Sequence, residues 1–410
     1  MSMRRVVATG LGTVTSFGYG HDQLWAGLQA GRSAVRSMAE WEGFTGLRSK
    51  VGAPLEMRDP RSIPRQARRT MSPMSIYAAQ AADLALASAG LELADFAENP
   101  RAGVVAGHTT GSPKTLADVY QELLSTNDFG LLTSASFFRC LSHTVALNLA
   151  QYLQVRGVVE ATSAACASGL QAVGVGFDLI RMGRQDLMLC GGGEELHPTV
   201  TGSFDVLYAA SVGFNHKPGS TPRPFDQDRD GLVCGEGAGL LLLEEYGHAV
   251  ARGARIYGEI LGFHTCGNGV HISQSCSPAM VDCMQGALAD AGLQPEQVDY
   301  INAHATGTLQ GDAAEAEAIA RLFGSRVPVS SLKGHLGHTL GASGPIELIA
   351  SLQMMQEQLL LPTRNLERVA EDCPGVNLLR QPLARAARTI LKNSFAFGGI
   401  NAAVVCGGGE

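Results

Sequence analysis

Two short stretches decide the fold: ALASAGL at residues 85–91 and ALADAGL at 287–293. Each is followed, after a brief connection, by an apolar run and a small-residue turn that carries histidine. These are VVAGHTTGS at 104–112 and YINAHATGT at 300–308. Each copy reads as a helix closed by glycine, a loop, a strand, then a turn. The segments VVATGLGTVTSFG (6–18) and IYGEILGFHTCGNG (256–269) correspond more loosely. The echo predicts an α/β fold built from two similar halves, residues 1–250 and 251–410, meeting near residue 250.

Other stretches fit layered α/β architecture. DLMLCGGG (186–193) and GLLLLEE (239–245) are short apolar runs bounded by glycine, as buried strands are. SIYAAQAADLALASA (75–89) and ASGLQAVGVGFDLIRM (167–182) are long enough for helices. The glycines of the second weaken helix propensity but permit close packing, as expected of a central helix between sheets.

Composition narrows the function. The 410 residues carry 31 Lys and Arg against 38 Asp and Glu, a net charge of −7, which argues against general nucleic-acid binding. Hydrophobic residues are 45% and charged ones 17%, so a large core is expected. No run of about 18 apolar residues predicts a membrane span. Nine scattered cysteines without paired CxxC spacing predict a reduced, cytoplasmic protein. One basic cluster stands out in DPRSIPRQARRT (59–70). Arg65, Arg68 and Arg69 would share one face of a helix, and the plain reading of such a run is a solvated surface.

Four stretches carry chemistry. In ATSAACASGLQAVG (161–174), Cys166 stands among small residues just ahead of the predicted central helix. A helix N-terminus favours a thiolate, and small neighbours leave room for an acyl group. A lone cysteine is more often structural. In NAHATGTLQGDAAEAEAI (302–319), His304 follows a strand and precedes Thr306, Gly307 and Thr308, with Asp312 and Glu315 on one helical face. In SSLKGHLGHTLGASG (330–344), Lys333, His335 and His338 lie in a Gly-rich turn. In NSFAFGGINAA (393–403), Phe395 and Phe397 flank Ala396 and precede Gly398 and Gly399. One cysteine with two histidines suits thioester exchange and stabilisation of an enolate. The rival is a metal site using His335 and His338, but no carboxylate or thiolate cluster completes a ligand set, so no metal is expected.

Taken in order, these motifs resemble those of the beta-ketoacyl-acyl carrier protein synthases, in the branch of synthases I and II and the polyketide ketosynthases. The resemblance runs nearly end to end. It rests on VVATGLGTVTSFG, TSAACASG, RPFDQDRDGLVCGEGAG (223–239), NAHATGT, the Lys333-to-Gly344 histidine motif and NSFAFGGIN. It implies a thiolase-like fold of five layers, α-β-α-β-α, usually a homodimer. It implies that Cys166 is the acylated nucleophile, that His304 and His338 assist decarboxylation, and that Lys333 supports them electrostatically. Glu315, Thr306, Thr308, Gly398 and Gly399 would support the site. The amides of Cys166 and Phe397 would form the oxyanion hole, with Phe397 also the gate. Arg65, Arg68 and Arg69 would dock the acidic acyl carrier protein. No organic cofactor is implied.

There are departures. Ala396 and Ile400 replace residues usually Gly and Thr in the gate loop, and Ala305 stands where Gly is common. EGFTGLRSKVGA (42–53) and HTTGS (108–112) look more like specialised synthases, such as those building aryl polyenes, in which a heterodimer with a chain-length-factor-like subunit is the alternative assembly. Two other functions compete: a non-elongating partner subunit, which Cys166 argues against, and a degradative thiolase-like enzyme, for which Cys406 would have to serve as a second catalytic thiol.

Overall fold

The computed structural model describes residues 3–409. The first half contributes β1 (Val6–Thr15), α1 (Pro73–Ala89), β2 (Ala102–Gly107), α2 (Thr144–Tyr152), β3 (Val159–Thr162), α3 (Ser168–Arg181), β4 (Leu187–Glu194) and β5 (Gly237–Glu245). The second contributes β6 (Gly258–Gly267), α4 (Ser277–Ala291), β7 (Tyr300–Asn302), α5 (Leu309–Phe323), β8 (Pro328–Ser330), α6 (Ser343–Glu357), β9 (Thr389–Phe395) and β10 (Ile400–Gly407).

The ten strands line up as β8-β7-β9-β10-β6-β1-β5-β4-β2-β3, with Gly18–Tyr19 and Asn377–Leu378 as short additions. Outward from the centre, β1-β5-β4-β2-β3 and β6-β10-β9-β7-β8 have the same pairing sequence: antiparallel, antiparallel, parallel, parallel. The halves join where Val6–Ala8 pair antiparallel with Ile260–Gly258. The internal echo is thus a repeat of topology. Both echo helices end on a left-handed glycine, Gly90 and Gly292, each at φ +67°.

Alternation along the strands builds the layers. In β4, Met188 and Cys190 face the central core while Leu187 and Leu189 face an outer one. In β5, Leu241 and Leu243 face the centre, and Leu240 and Leu242 face outward. The central core holds α3 and α6, which touch strands of both halves. Helices α1 and α2 cover the first half, and α4 and α5 the second. The result is the five-layer thiolase-like α/β fold. Alanine-rich outer helices follow from how closely they approach the sheet. A Cβ on Gly12 would lie 1.9 Å from the Ala81 carbonyl oxygen, and one on Gly262 would lie 2.5 Å from that of Ala287. No helix among the described residues is long and apolar enough to cross a membrane.

Candidate active site

Cys166 occupies the single turn Ala165–Ala167 ahead of α3. Ala165 adopts φ +48°, an uncommon conformation for a residue with a β-carbon. The turn is held by Ser168, whose Oγ accepts the Ala164 amide at 2.8 Å and donates to the Ala165 carbonyl at 2.7 Å. Thr162 Oγ1 donates to the Ser168 carbonyl at 2.7 Å. The cysteine is therefore fixed by its neighbours and projects into a cavity of about 380 Å³.

The two histidines arrive from the second half. His304 leaves β7 on a loop anchored by Glu315, which accepts the His304 amide at 2.8 Å and the Ala305 amide at 2.6 Å. Asp312 accepts the amides of Gly307 at 3.1 Å and Phe225 at 2.7 Å, and burial pushes its carboxyl up to about 7. Thr306 and Thr308 line the cavity with their hydroxyls 3.1 Å apart. His338 is fixed through its backbone: its amide donates to Val233 at 2.7 Å and its carbonyl accepts from Gly235 at 2.9 Å.

The imidazoles of His304 and His338 lie 5.2 Å apart, nearly perpendicular at 82°. One side-chain donor atom from each of Cys166, His304 and His338 lies within 4.8 Å of the other two. Neither ring nitrogen of His338, nor Nδ1 of His304, has a partner among the described residues. Ring nitrogens with no such partner, facing the cavity, are available to hydrogen-bond a bound group. Burial first, and then the charge of Lys333, hold both histidines far below the ordinary imidazole range, so both are neutral at pH 7.

Lys333 lies behind the histidines, fully buried, with its Nζ donating to Glu347 at 2.8 and 3.1 Å. Lys392 donates to the same carboxylate at 2.5 Å, and Ser343 Oγ at 2.7 Å. Although burial opposes ionisation, the two ammonium groups bring the Glu347 carboxyl down to about 2. The amides of Phe397 and of Cys166 itself act on the cysteine sulfur as donors. The Phe397 ring lines the cavity and packs edge-on against Phe204 at 5.6 Å. Gly398 and Gly399 take φ +93° and +75°, which a side chain would resist.

One sequence expectation needs correction, and two rival readings fall away. The helix N-terminus does not leave Cys166 a thiolate: burial dominates and pushes the thiol up to about 12, with Lys333 only partly opposing. His335 does not join His338: its Nδ1 lies 3.1 Å from the Arg32 carbonyl oxygen, away from the cavity. Cys406 is fully buried in the central core on β10 and does not line the cavity of Cys166, so it is not placed to serve as a second catalytic thiol. The arginines lie on a single helical turn, Arg65–Arg68, with Arg65 and Arg69 exposed and Arg68 partly covered.

A metal could use one sulfur and two imidazoles in principle. Here a dication would face Lys333 and Lys392, whose charges already press on both histidines. No carboxylate of the described residues joins the set. The chemistry fits a nucleophile with two neutral N–H donors better than a ligand cage.

Sequence reasoning missed Glu347, Lys392 and Asn393. A signal was there: Glu347 is the lone charge in the apolar run PIELIASLQMM, and Lys392 the lone charge in TILKNSF. Charges inside buried elements are seldom idle.

A buried cysteine and two neutral histidines, held between the halves of a thiolase-like fold, define a condensing acyltransferase. Residues 3–249 match the family described as beta-ketoacyl synthase, N-terminal domain, and residues 257–367 match the corresponding C-terminal domain. The chain is 34% identical over 404 residues to 3-oxoacyl-acyl-carrier-protein synthase 1 of Escherichia coli (strain K12), covering 98% of each. The crystal structure of a beta-ketoacyl synthase from Burkholderia phymatum STM815 superposes with a TM-score of 0.96 at 43% identity, covering 100% of both chains. The ishigamide ketosynthase/chain length factor gives 0.92 at 30% identity, again over 100% of both. This chain belongs to the beta-ketoacyl synthase family.

Proposed function

We propose that the chain is a 3-oxoacyl-acyl carrier protein synthase that elongates an acyl chain held on Cys166. The observation that carries this is the triad of Cys166, His304 and His338 with open imidazole nitrogens in one cavity. In the first step Sγ attacks the carrier thioester. Its proton passes to a neutral imidazole and on to the departing carrier thiol. The oxyanion faces the amides of Cys166 and Phe397. In the second step malonyl-carrier protein binds with its thioester oxygen toward the two imidazole N–H groups. Carbon dioxide leaves, the enolate carbon attacks the acyl group, and the C–S bond to Cys166 breaks. Neutral histidines suit this role, since they donate to an enolate and still accept a proton.

Arg65, Arg68 and Arg69 are the proposed carrier docking patch. Arg139, which donates to the Arg69 carbonyl at 3.0 Å, extends it. We read residues 1–250 and 251–410 as the two halves. A dimer is favoured by the exposed edge strand β3, and by the exposed Tyr120, Leu124, Phe129 and Phe137 nearby in sequence. The resemblance to the ishigamide ketosynthase/chain length factor leaves two forms in view: a homodimer, and a heterodimer with a chain-length-factor-like subunit. The cysteines lie reduced and unpaired among the described residues, which suits the cytoplasm.

The test is intact-protein mass spectrometry with a panel of acyl-carrier proteins, followed by malonyl-carrier protein. An adduct on Cys166 that vanishes as a product two carbons longer appears supports elongation. An adduct seen only after adding a chain-length-factor-like subunit identifies the heterodimer. No adduct under either condition removes the catalytic reading in favour of a non-elongating partner.

A further inference from the structure

Lys392 lies in the middle of β9, on the same face as Ile390 of the central core. It is fully buried, yet it does not line the active-site cavity. Its Nζ donates to Glu347 Oε2 at 2.5 Å and to the Asn393 carbonyl at 2.7 Å. Glu347 Oε1 is occupied by Lys333 and Ser343. The Glu347 carboxylate is thus clamped from the Lys333 turn, from its own helix and from β9.

The same lysine reaches toward the other histidine loop. Asn393, its neighbour, donates from Nδ2 to Glu315 Oε1 at 3.1 Å, and Glu315 holds the amides of His304 and Ala305. The Glu315 carboxylate attracts Lys392 directly. Lys392 therefore stands between the carboxylate that holds Lys333 and the carboxylate that holds His304. Lys333 and Lys392 both act on the imidazoles of His304 and His338.

We infer that Lys392 is a positioning residue for the condensation: its ammonium fixes Glu347 so that Lys333 stays aimed at the site, and through Asn393 and Glu315 it braces the loop that carries His304. The inference rests on the condensing reading above. Without Lys392, Glu347 keeps Lys333 as its only cation, and the carboxylate is free to turn and draw Lys333 back. The histidines also lose part of the field that keeps them unprotonated. Acylation of Cys166 feels this clamp only through the charge of Lys333 on its sulfur, whereas condensation uses both imidazoles on which the two lysines act, so acylation should change less.

A pH signature follows. Burial, opposed by Glu347 and Glu315 and reinforced by Lys333, brings the Lys392 ammonium down to about 8. The other titratable groups that feel it are His304 and His338, neutral throughout this range. As pH rises through about 8 the ammonium is lost and the clamp with it, so condensation should fall while acylation holds.

The experiment uses the full-length chain and Lys392→Met, which keeps the stem and removes the charge. Expected are Cys166 acylation within about threefold of the parent, condensation lower by about 10- to 100-fold, and no alkaline fall near pH 8. In Lys392→Ala, ethylammonium should restore part of the rate by filling the vacated place. Histidine-labelled protein should show the ring titrations of His304 and His338 moving up in Lys392→Met by NMR, a readout that needs no turnover. Parental condensation together with parental histidine titration in Lys392→Met overturns the inference. So does an equal loss of acylation and condensation with a fallen melting temperature and no rescue. If the parent itself fails to elongate, the functional reading falls, and the histidine titration still decides whether Lys392 sets their charge.

Discussion

The two halves build the same turn twice and use it differently. In the first half, Ala165-Cys166-Ala167 forms a single turn ahead of α3; in the second, Leu340-Gly341-Ala342 forms one ahead of α6. Ala165 and Leu340 both adopt φ +48°, and Ser168 and Ser343 both open the helix. At the matching central position one half has Cys166, the proposed nucleophile, and the other has glycine. The amide of Gly341 is consumed by Glu194 Oε2 at 3.1 Å, whereas the amide of Cys166 acts on its own sulfur. The histidine turns diverge in the same way. His304 enters the cavity, while His108 is buried outside it, and burial brings it down to about 4. A repeated backbone thus supplies two candidate sites, and side chains choose one.

The largest effect should come from removing that choice. Cys166→Ala makes the first turn as inert as the second, and elongation should fall by at least about 10⁴-fold with melting little changed. Retained elongation, measured by product mass, would break the comparison. Before that variant is made, the thiol itself can be read. Because burial holds Cys166 near 12, alkylation by iodoacetamide should rise about tenfold per pH unit from 7 to 9 without a plateau. A plateau below pH 9 would mean the helix N-terminus wins over burial.

The histidines give the next contrast. His304→Ala should lower condensation by about 10²- to 10⁴-fold while acylation persists. His108→Ala, its counterpart in the other half, should leave turnover within about threefold and act on stability, costing about 1–3 kcal/mol. If both substitutions impair condensation equally, His108 belongs to the chemistry and the halves are not divided as described. Gly341→Ala tests the silent turn. A Cβ there would lie 2.8 Å from the His108 Cα and 3.0 Å from Glu194 Oε2, so a loss of about 1–3 kcal/mol in denaturant unfolding is expected.

These contrasts also mark what the sequence made legible. ALASAGL and ALADAGL gave away the repeat because packing under a glycine-bearing strand demands small residues on the helix, as Gly10 over Ala85 and Gly262 over Ala287 show. Cys166, His304, His338 and Lys333 were readable because each lies in a short turn beside a predictable element. The state of the thiol was not, since the dipole is local and burial is tertiary. Spacing alone could not dismiss the rival pairing of His335 with His338: His335 lies in the helical turn Lys333–Leu336 and His338 beyond the positive-φ Gly337, so the two rings point apart. Glu347, Lys392 and Asn393 come from α6 and β9, 45 residues apart for the Glu347–Lys392 pair, and only folding brings them to Lys333 and Glu315.

The smallest effect should lie at the loop of Phe397, which the family resemblance marks as a gate over Cys166. Ala396 donates its amide to the Ile400 carbonyl at 2.9 Å and accepts from Gly399 at 3.1 Å, closing the turn between β9 and β10. The turn is tied outward as well, by Gly398 to the Ile272 carbonyl at 2.7 Å and by Asn268 to the Gly399 carbonyl at 2.8 Å. The two glycines supply positive φ, and the Ala396 methyl packs against the central core, so backbone freedom is removed at the first residue only. For Phe397 to swing off Phe204, this first residue must pivot. Ala396→Gly should therefore speed Cys166 acylation by a few-fold, about 0.5–1 kcal/mol in barrier, and widen the range of acyl lengths accepted. Equal acylation rates across the acyl panel would place the rate-setting step elsewhere, in the ties to Asn268 and Ile272 rather than in the residue that precedes the gate.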